Sequence, residues 1–224
     1  MPKTNFKHNL FAQFARVGKA LSNPNRLELL EFLAQGARNV DQLAKVSGLS
    51  VANTSQHLQH LRQTGLVTAE KQGLKVYYRV SGNDVIELIT LLRNVAQRHI
   101  AEVDRLIHTV LTAKDELEAI PKTELLTRLE EGSVTVIDVR PTEEYVAGHI
   151  SGAINTPIAE LEGKLDKFSH DKEVVAYCRG PHCVLAFDAV QALRQSGFKA
   201  RRMEDGFPEW SNENLPIESG HQHD

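Results

Sequence analysis

The spacing of the apolar residues changes near Pro121, and that change constrains the fold more than any other feature. Before it, apart from one alternating stretch, apolar residues recur every three or four positions, which is typical of helices that bury one face. Beyond Pro121, short apolar runs alternate with helical segments, which predicts a parallel sheet with helices between its strands. The 224 residues are enough for two modest domains. We therefore expect a mainly α-helical N-terminal domain and an α/β C-terminal domain.

The charged residues divide the chain at the same place. Residues 1–112 carry 14 Lys and Arg against 8 Asp and Glu, a net charge of +6, and residues 113–224 carry 12 against 21, a net charge of −9. A basic half joined to an acidic half is expected when only the basic half meets a polyanion such as nucleic acid. Uneven surface charge without a partner is the alternative that the charges alone leave open.

The sequence predicts neither a membrane span nor a secretory signal. Its longest apolar runs fall well short of the ~20 residues that cross a bilayer, and its first residues, MPKTNFKHNL, lack the apolar stretch of a signal peptide. We therefore expect a cytoplasmic protein with no membrane partner. There Cys178 and Cys183, the only two cysteines, would normally stay reduced. Their close spacing in such a chain indicates chemistry more than architecture.

The N-terminal half contains the pattern of a helix, a tight turn and a second helix. Asn39 and Gln42 form a predicted capping box at the start of the first of these helices, and Gly48 supplies the turn. Ser50 caps the second helix, which runs to about Gln63 with two leucines facing inward. The next residues, LVTAEKQGLKVYYRV, alternate apolar and polar side chains and predict a β-hairpin.

A single long helix is predicted from Asn83 to about Ala119. Its apolar stripe has spacings of three and four and comprises Val85, Ile89, Leu92, Ala96, Ile100, Val103, Ile107 and Val110. Such a helix would span about 50 Å, which is too long to bury its stripe on so small a domain. We expect it to pair with the same helix of a second chain, the alternative being a stripe packed within one chain. The predicted domains are 1–115 and 123–220, with a linker at 116–122.

The segment from ALSNPNRL to VYYRV resembles the ArsR-type winged helix-turn-helix repressors over about 65 residues. The matching parts are the N-P-x-R-L opening, the L-S-x-x-x-x-S-x-H-L-x-x-L recognition helix, and the G-L-V…G-x-x-V-Y-Y-R hairpin, which is the wing. The resemblance implies a homodimer that binds double-stranded DNA at a two-fold symmetric operator. It also implies that the protein releases this operator on sensing a signal.

Candidate DNA contacts follow from which side chains of the recognition helix are polar and point outward. The predicted base contacts are Asn53, Thr54, Gln56, His57 and His60. Ser50 and Ser55 suit phosphate or cap roles, and Lys71 and Lys75 of the wing suit phosphate contacts. For any one of these residues, a solvated surface position is the alternative.

Members of that family often bind metal ions, either through cysteines on the first helix of the helix-turn-helix or through Asp and His side chains on the long helix. At the first helix of the helix-turn-helix the sequence is GARNVDQL. It has no cysteine, which excludes a thiolate metal site there. On the long helix, His99, Asp104 and His108 do not match the spacing of the family's zinc site. We therefore expect no metal and no other cofactor.

The C-terminal half resembles a single rhodanese-like domain over residues 120–212. VIDVRPTEEYVAGHISGAINTP is similar to the entry motif of that family, and DGFPEW is similar to its closing turn. Between them, YCRGPHCVLAFDAV has the pattern of a strand that delivers Cys178 into a loop followed by a helix. The resemblance implies that Cys178 carries sulfane sulfur taken from a donor such as thiosulfate or a persulfide.

The loop around Cys178 has residues suited to that chemistry. Loop N–H groups and a helix N-terminus aimed at a cysteine stabilise its thiolate and lower its pKa. Arg179 could bind an anionic donor or point to water, Gly180 permits unusual backbone dihedral angles, and His182 could assist proton transfer. Cys183 is either a small apolar residue or a resolving thiol that forms a disulfide or polysulfide with Cys178.

The spacing within this loop separates two reaction classes. Phosphatases and arsenate reductases with a similar layout need an arginine after the cysteine and five further residues, in order to hold three phosphate oxygens. That position here is Val184, which disfavours phosphoryl transfer and favours sulfur transfer.

Together these features predict a homodimeric, sulfur-responsive transcriptional repressor. Three alternatives stay open. The first is a sulfurtransferase enzyme whose DNA-binding half only controls its own operon. The second is a metal sensor with an appended rhodanese domain, and the third is a degenerate rhodanese fold that serves as a ligand-binding or dimer-contact module.

Overall fold

The computed structural model describes residues 3–112 and 119–220 and divides the chain into two compact units, Met1–Ile89 and Thr90–Asp224. Each unit has its own hydrophobic core. Residues 90–112, assigned to the first domain by their sequence pattern, group with the second unit. Part of the predicted linker at 116–122 lies outside the described residues.

The first unit is mainly helical and has one small antiparallel sheet with the strand order β1-β3-β2. Its elements are α1 (Lys3–Leu21), α2 (Pro24–Ala34), β1 (Arg38–Asn39), α3 (Val40–Ser47), α4 (Val51–Gln63), β2 (Val67–Gln72), β3 (Lys75–Val80) and the start of α5 (Asn83–His99). Buried leucines of α2, α3 and α4 form half of the buried core cluster. This arrangement confirms the predicted winged helix-turn-helix.

Local hydrogen bonds determine where the helices of this unit begin. The backbone N–H of Asn39 donates to the Gln42 side chain over 2.9 Å, and the Gln42 N–H donates back to the Asn39 side chain over 3.0 Å. The predicted capping box is therefore confirmed. Gly48 ends α3 in the left-handed region at φ 69°, where a residue without a Cβ is favoured. The predicted turn is confirmed as well.

The predicted long helix is interrupted at Ile100, so the prediction of one continuous helix is wrong, and its last part, 113–118, lies outside the described residues. Ile100 takes an extended conformation (φ −112°, ψ 100°) between α5 and α6 (Ala101–Ile107), and a π-helical turn follows at His108–Thr112. Ile100 and Val110 of the predicted stripe are 51% and 46% exposed, whereas Leu111, outside that stripe, is buried and lines a cavity of the second unit together with Ile107.

The second unit is an α/β domain built on a parallel sheet with the strand order β6-β4-β7-β8. Besides α6 and the end of α5, its elements are α7 (Lys122–Glu130), β4 (Val134–Asp138), α8 (Thr142–Ala147), β5 (His149–Ile150), β6 (Ile154–Asn155), β7 (Glu173–Tyr177), α9 (Val184–Gln195), β8 (Ala200–Arg202), α10 (Phe207–Asn212) and β9 (Ile217–Glu218). Separate apolar clusters cover the two faces of the sheet, as expected for parallel strands. The predicted fold class is confirmed.

Several apolar side chains of α1 and α5 stay exposed. On α5, Val85 is buried and Ile89 packs against the first core, as the predicted stripe requires. A neighbouring face of the same helix is left open, with spacings of three, one and three residues, and comprises Leu88, Leu91, Leu92 and Val95. On α1 the exposed set is Phe6, Leu10, Phe11 and Phe14. Helices that carry such faces in water usually have a partner.

Within the described parts of the chain, no helix combines the length and the apolar character that a bilayer crossing demands.

Candidate functional site

One face of α4 presents the polar side chains that could read DNA. Asn53, Gln56, His57 and His60 are spaced by three, one and three residues and therefore share a face. Asn53 and Gln56 are exposed, and the two histidines are half-buried. The Asn53 N–H donates to the Ser50 side chain over 3.2 Å, so Ser50 caps the helix as predicted.

Thr54 does not belong to this face, and its predicted base contact is corrected here. Its side chain is fully buried, and its Oγ1 donates to the Ser50 carbonyl over 3.0 Å. Thr54 lies four residues before Leu58 and seven before Leu61, which places it on the inward face with both leucines. That spacing was available in the sequence. Ser55, beside it, is half-buried.

The wing presents basic side chains on both of its faces. Lys71 and Lys75 are exposed, and the strand register pairs Lys71 with Val76 and Gln72 with Lys75. The two lysines therefore point to opposite faces of the hairpin. Arg79 is exposed and shares the face of Lys75 because it pairs with Thr68, whose Oγ1 accepts from the Arg79 Nε over 3.3 Å. Strand alternation would have identified Arg79 as a further candidate for phosphate contact.

His57 has an altered ionisation. Partial burial, together with the charges of Arg26 and His60, lowers the pKa of His57 below its usual value. At neutral pH the side chain is therefore mostly uncharged, and it can donate and accept one hydrogen bond each.

The histidines considered for metal binding lie on either side of the break after α5. His99 ends α5, and His108 lies 3.7 Å from Asp104 beyond the break. In residues 3–112 and 119–220, no three His, Cys, Asp or Glu side chains are grouped so that they could hold a metal ion.

Cys178 lies at the carboxyl end of β7, where the sheet meets the loop that leads into α9. It is 1% exposed. The structure joins it to Cys183, the residue before α9, in a disulfide with a Cα–Cα distance of 6.1 Å. This differs from the expectation that both cysteines stay reduced. A tight turn, in which the Cys183 N–H donates to the Gly180 carbonyl over 3.1 Å, brings the two cysteines within the Cα distance that a disulfide allows.

The start of α10 packs directly against the backbone of this loop. The Phe207 N–H donates to the Cys178 carbonyl over 3.0 Å. A Cβ at Gly206 would lie only 2.4 Å from the carbonyl carbon and oxygen of Arg179 and from the nitrogen of Gly180, so no larger residue fits there. The closing motif DGFPEW was evident in the sequence, but this role of Gly206 was not.

Arg179 pairs with a carboxylate of its own chain instead of pointing to water, so that alternative is corrected, while donor binding by Arg179 stays a prediction. Its Nη2 and Nε lie 2.7 and 3.0 Å from the carboxylate oxygens of Glu144, whose side chain is fully buried. A buried carboxylate needs such a partner because burial penalises its charged form. Arg179 therefore fixes the loop against α8. The sequence contained no signal for the pairing because the two residues are 35 positions apart.

A second buried network holds the ends of β4 and β7 together. The Arg140 guanidinium pairs with Asp138, and the Tyr177 hydroxyl donates to the same carboxylate over 2.6 Å. Burial and the Asp138 charge raise the pKa of Tyr177 well above its usual value, so the hydroxyl stays protonated. Arg140 also lies over the ring of Phe207, 4.3 Å from its centre.

His182 faces a cavity of about 330 Å³ whose lining residues all belong to the second unit. Burial, followed by the charges of Arg93 and Arg202, lowers the pKa of His182. At neutral pH the imidazole is uncharged and can accept a proton.

Glu209 connects the loop region with the second half of α5. Its carboxylate accepts from the Gly206 N–H over 3.1 Å, from the Thr90 hydroxyl over 3.2 Å and from the Arg93 Nη2 over 2.6 Å. One carboxylate thus contacts both the glycine behind the cysteine loop and two residues of α5. No sequence pattern indicated this connection.

Two family models match the chain. Residues 23–69 match the model described as bacterial regulatory protein, arsR family, and residues 121–213 match the rhodanese-like domain.

Similar proteins cover either the whole chain or one half of it. The HTH-type transcriptional regulator Rv0324 of Mycobacterium tuberculosis is 47% identical over 214 residues, which are 96% of this chain and 94% of that protein. A solution structure described as a homodimeric winged helix-turn-helix DNA-binding domain from Mycobacterium bovis is 45% identical and covers 42% of this chain and 87% of its own, with a TM-score of 0.40. A rhodanese-related protein from Thermoplasma volcanium is 30% identical and covers 46% of this chain and 98% of its own, with a TM-score of 0.41.

Proposed function

The chain belongs to the ArsR family of bacterial transcriptional regulators and carries a rhodanese-like domain, and on this basis we propose that it is a repressor whose sensor for sulfane sulfur is the pair Cys178 and Cys183. The observation that carries the proposal is the disulfide between these residues in the loop after β7. A nucleophilic cysteine with a second cysteine within bonding reach can turn a sulfur signal into a covalent change of the loop.

The first step loads sulfur on Cys178. Its thiolate forms a bond to the terminal sulfur of a donor R–S–SH, the S–S bond of the donor breaks, and R–S⁻ leaves with the electron pair. Cys178 then carries a persulfide. His182, uncharged at neutral pH, is the candidate acceptor for the thiol proton of Cys178.

The second step converts the persulfide into the disulfide. The Cys183 thiolate attacks the Cys178 sulfur, and the sulfane sulfur leaves as HS⁻. Two electrons pass from the two cysteines to the sulfane sulfur, so the disulfide forms without any further oxidant. In this proposal Cys183 is the resolving thiol.

The DNA-binding form is proposed to be a homodimer. The exposed apolar faces of α5 and α1 provide surfaces for a second copy of the chain. Two copies of α4 related by two-fold symmetry would read a two-fold symmetric operator. Asn53, Gln56, His57 and His60 would contact bases, and Ser50, Ser55, Lys71, Lys75 and Arg79 would contact phosphates.

The route from sensor to dimer is proposed to pass through Glu209. Disulfide formation changes the loop against which Gly206 packs, and Glu209 binds both the Gly206 N–H and residues Thr90 and Arg93 of α5. Leu91, Leu92 and Val95, in the same part of α5, belong to the proposed dimer face. A displacement of this part of α5 would alter the distance between the two recognition helices.

The test measures operator affinity at one fixed salt concentration, because phosphate contacts make the affinity depend on salt. Wild type, Cys178→Ser and Cys183→Ser are compared in the reduced state and after treatment with an organic persulfide. We expect treatment to weaken binding by wild type at least about tenfold, which is typical of allosteric coupling, and to leave Cys178→Ser unchanged. Cys183→Ser should hold the persulfide, seen by mass spectrometry, and keep its affinity.

The proposal would be contradicted if wild-type protein in which the disulfide has formed still bound the operator with full affinity. Steady conversion of thiosulfate and cyanide to thiocyanate by that protein would then assign it to the sulfurtransferases instead.

A further inference from the structure

The cavity beside His182 has the character of a binding site for an anion. It is formed by the second half of α5, the loop after Cys178, the start of α9 and the residues around the end of β8. Its polar lining includes two guanidinium groups and two side-chain amides, from Arg93, Arg202, Asn94 and Gln97. Its volume of about 330 Å³ is larger than an inorganic oxyanion needs and falls within the range of sites for small organic molecules.

Arg93 has hydrogen-bonding capacity that its protein contacts leave unused. Its Nη2 donates to Glu209, but its Nε is buried and has no hydrogen-bond partner among the described residues. A buried donor of this kind is costly unless an acceptor is supplied. An oxygen of a ligand anion in the cavity would supply one.

Arg202 provides a second positive charge in a fixed position. Its guanidinium lies over the ring of Phe187, 4.4 Å from the ring centre, and both residues line the cavity. The charges of Arg93 and Arg202 both act on His182, which lies on the wall between them and the cysteine loop. Glu209 lies 2.6 Å from the Arg93 Nη2 and acts on His182 with the opposite sign, so part of this positive charge is already compensated, and the buried Nε of Arg93 is the donor left for an anion.

Two carboxylates also line the cavity, but neither accepts a hydrogen bond from the Nε of Arg93. Asp205 forms a salt bridge with Lys122 over 2.8 Å, so its charge is already compensated. Glu204 is exposed, and water screens its charge more strongly than that of a buried group.

We propose that this cavity binds a low-molecular-weight organic thiol, or its persulfide, that carries carboxylate groups. A carboxylate of the ligand would bind Arg93 and Arg202, and its other polar groups would form hydrogen bonds with Asn94 and Gln97. Its sulfur would lie beside the loop of Cys178. The inference rests on the proposed function, since the ligand is the donor R–S–SH of its first step. It adds that α5 takes part in selecting the donor.

The test compares two donors that differ in their carboxylates. Glutathione persulfide carries carboxylates, and ethyl persulfide undergoes the same transfer without them. In Arg93→Gln and in Arg202→Gln, we expect the glutathione persulfide concentration that gives half-maximal disulfide formation to rise about tenfold, as for the loss of a charged hydrogen bond. Arg105→Gln, an exposed arginine of α6 outside the cavity, should match wild type. The ratio of the half-maximal concentrations for glutathione persulfide and ethyl persulfide should rise in the Arg93 and Arg202 variants only, and thermal unfolding like that of wild type would show that all three variants are folded.

A second experiment measures binding in the absence of any sulfur transfer. S-methylglutathione, which cannot transfer sulfur, should bind Cys178→Ser in calorimetry, and an added Arg93→Gln substitution should weaken this binding about tenfold. No binding, together with unchanged half-maximal concentrations in the two arginine variants, would overturn the inference. The proposed function would survive that result if ethyl persulfide still forms the disulfide and releases the operator. Binding of S-methylglutathione without operator release by the disulfide form would instead overturn the proposed function alone.

Discussion

Individual residues hold the cysteine loop in place from two sides, and neither contact follows from local sequence patterns. Gly206 touches the loop backbone directly, and Arg179 ties the loop to a buried carboxylate. The sequence located Cys178 at the end of a strand and showed the length of the loop that follows, because both lie within one short motif. It did not identify Glu144, Gly206 or Glu209 as partners, because these contacts join residues that are distant in the chain.

Gly206→Ala should destabilise the protein and slow the sensor reaction. The added Cβ would lie 2.4 Å from backbone atoms of Arg179 and Gly180, so the loop itself would have to move. We expect a loss of about 1–3 kcal/mol in the free energy of unfolding, as for overpacked sites, measured by urea denaturation. Gly163→Ala, where a Cβ meets nothing within 4 Å, is the matched control. Equal stability of the two variants would refute the close approach.

Arg179→Ala should be more damaging, because Glu144 would stay buried without its guanidinium partner. Breaking a buried ion pair typically costs about 3–5 kcal/mol. Urea denaturation measures this loss. Arg105→Ala, which breaks an exposed ion pair, should change stability little.

At the scale of elements, the parts defined by local rules were predictable and the parts defined by distant packing were not. Caps, the turn at Gly48 and the hairpin depend on a few neighbouring residues, and the sequence located them. No glycine or proline near Ile100 indicates the break in the sequence. Beyond the break, Leu111 is buried in the second unit although it lies outside the predicted stripe, and helical periodicity did not reveal that contact.

Substitutions on the exposed face of α4 should affect operator affinity, and substitutions on its buried face should affect stability. Gln56→Ala changes an exposed residue and is expected to weaken operator binding about tenfold, with the free energy of unfolding unchanged within about 0.5 kcal/mol. Thr54→Val removes a buried hydroxyl that donates to the Ser50 carbonyl, so it should change stability and leave operator affinity of the folded protein as it was. Fluorescence anisotropy and thermal unfolding measure the two effects. A loss of affinity in Thr54→Val greater than in Gln56→Ala would contradict the assignment of faces.

At the scale of the whole molecule, the charge asymmetry and the change in periodicity predicted two architectures in one chain. They did not predict where the units divide, because that boundary falls inside α5, a continuous helix whose second half groups with the α/β unit. The predicted stripe was also only part of the apolar surface of α5. Leu88, Leu91 and Val95 lie outside it and are exposed.

Changing the exposed face of α5 should separate the proposed dimer into monomers. Leu91 and Val95 are 57% and 47% exposed, so replacing both with glutamine should not disturb either core. Sedimentation velocity should show a monomer, and operator affinity should fall at least about tenfold because each monomer contacts one half-site. Leu106→Gln, a residue of α6 that is 58% exposed, is the control. A Leu91→Gln/Val95→Gln protein that remains dimeric would place the interface elsewhere.

Glu209→Gln should disconnect sensing from DNA release. The substitution removes the charge that holds Arg93, while the amide oxygen can still accept from the Gly206 N–H. We expect the disulfide to form at the wild-type rate, with a several-fold smaller loss of operator affinity on oxidation. Mass spectrometry and anisotropy on the same sample measure both quantities. An undiminished response would show that the signal takes another route.

The disulfide between Cys178 and Cys183 has a consequence for the timing of the response. A persulfide would return its sulfur to the next available thiol, so it would follow the donor concentration of the moment. Once HS⁻ has left, the donor's sulfur is gone, and only a reductant can restore the starting state. Since Cys178 is almost inaccessible and Cys183 is half-buried, that reductant must attack Cys183. The protein would therefore retain a record of past exposure, and the duration of that record would be determined by how quickly the cell supplies electrons to one sulfur atom.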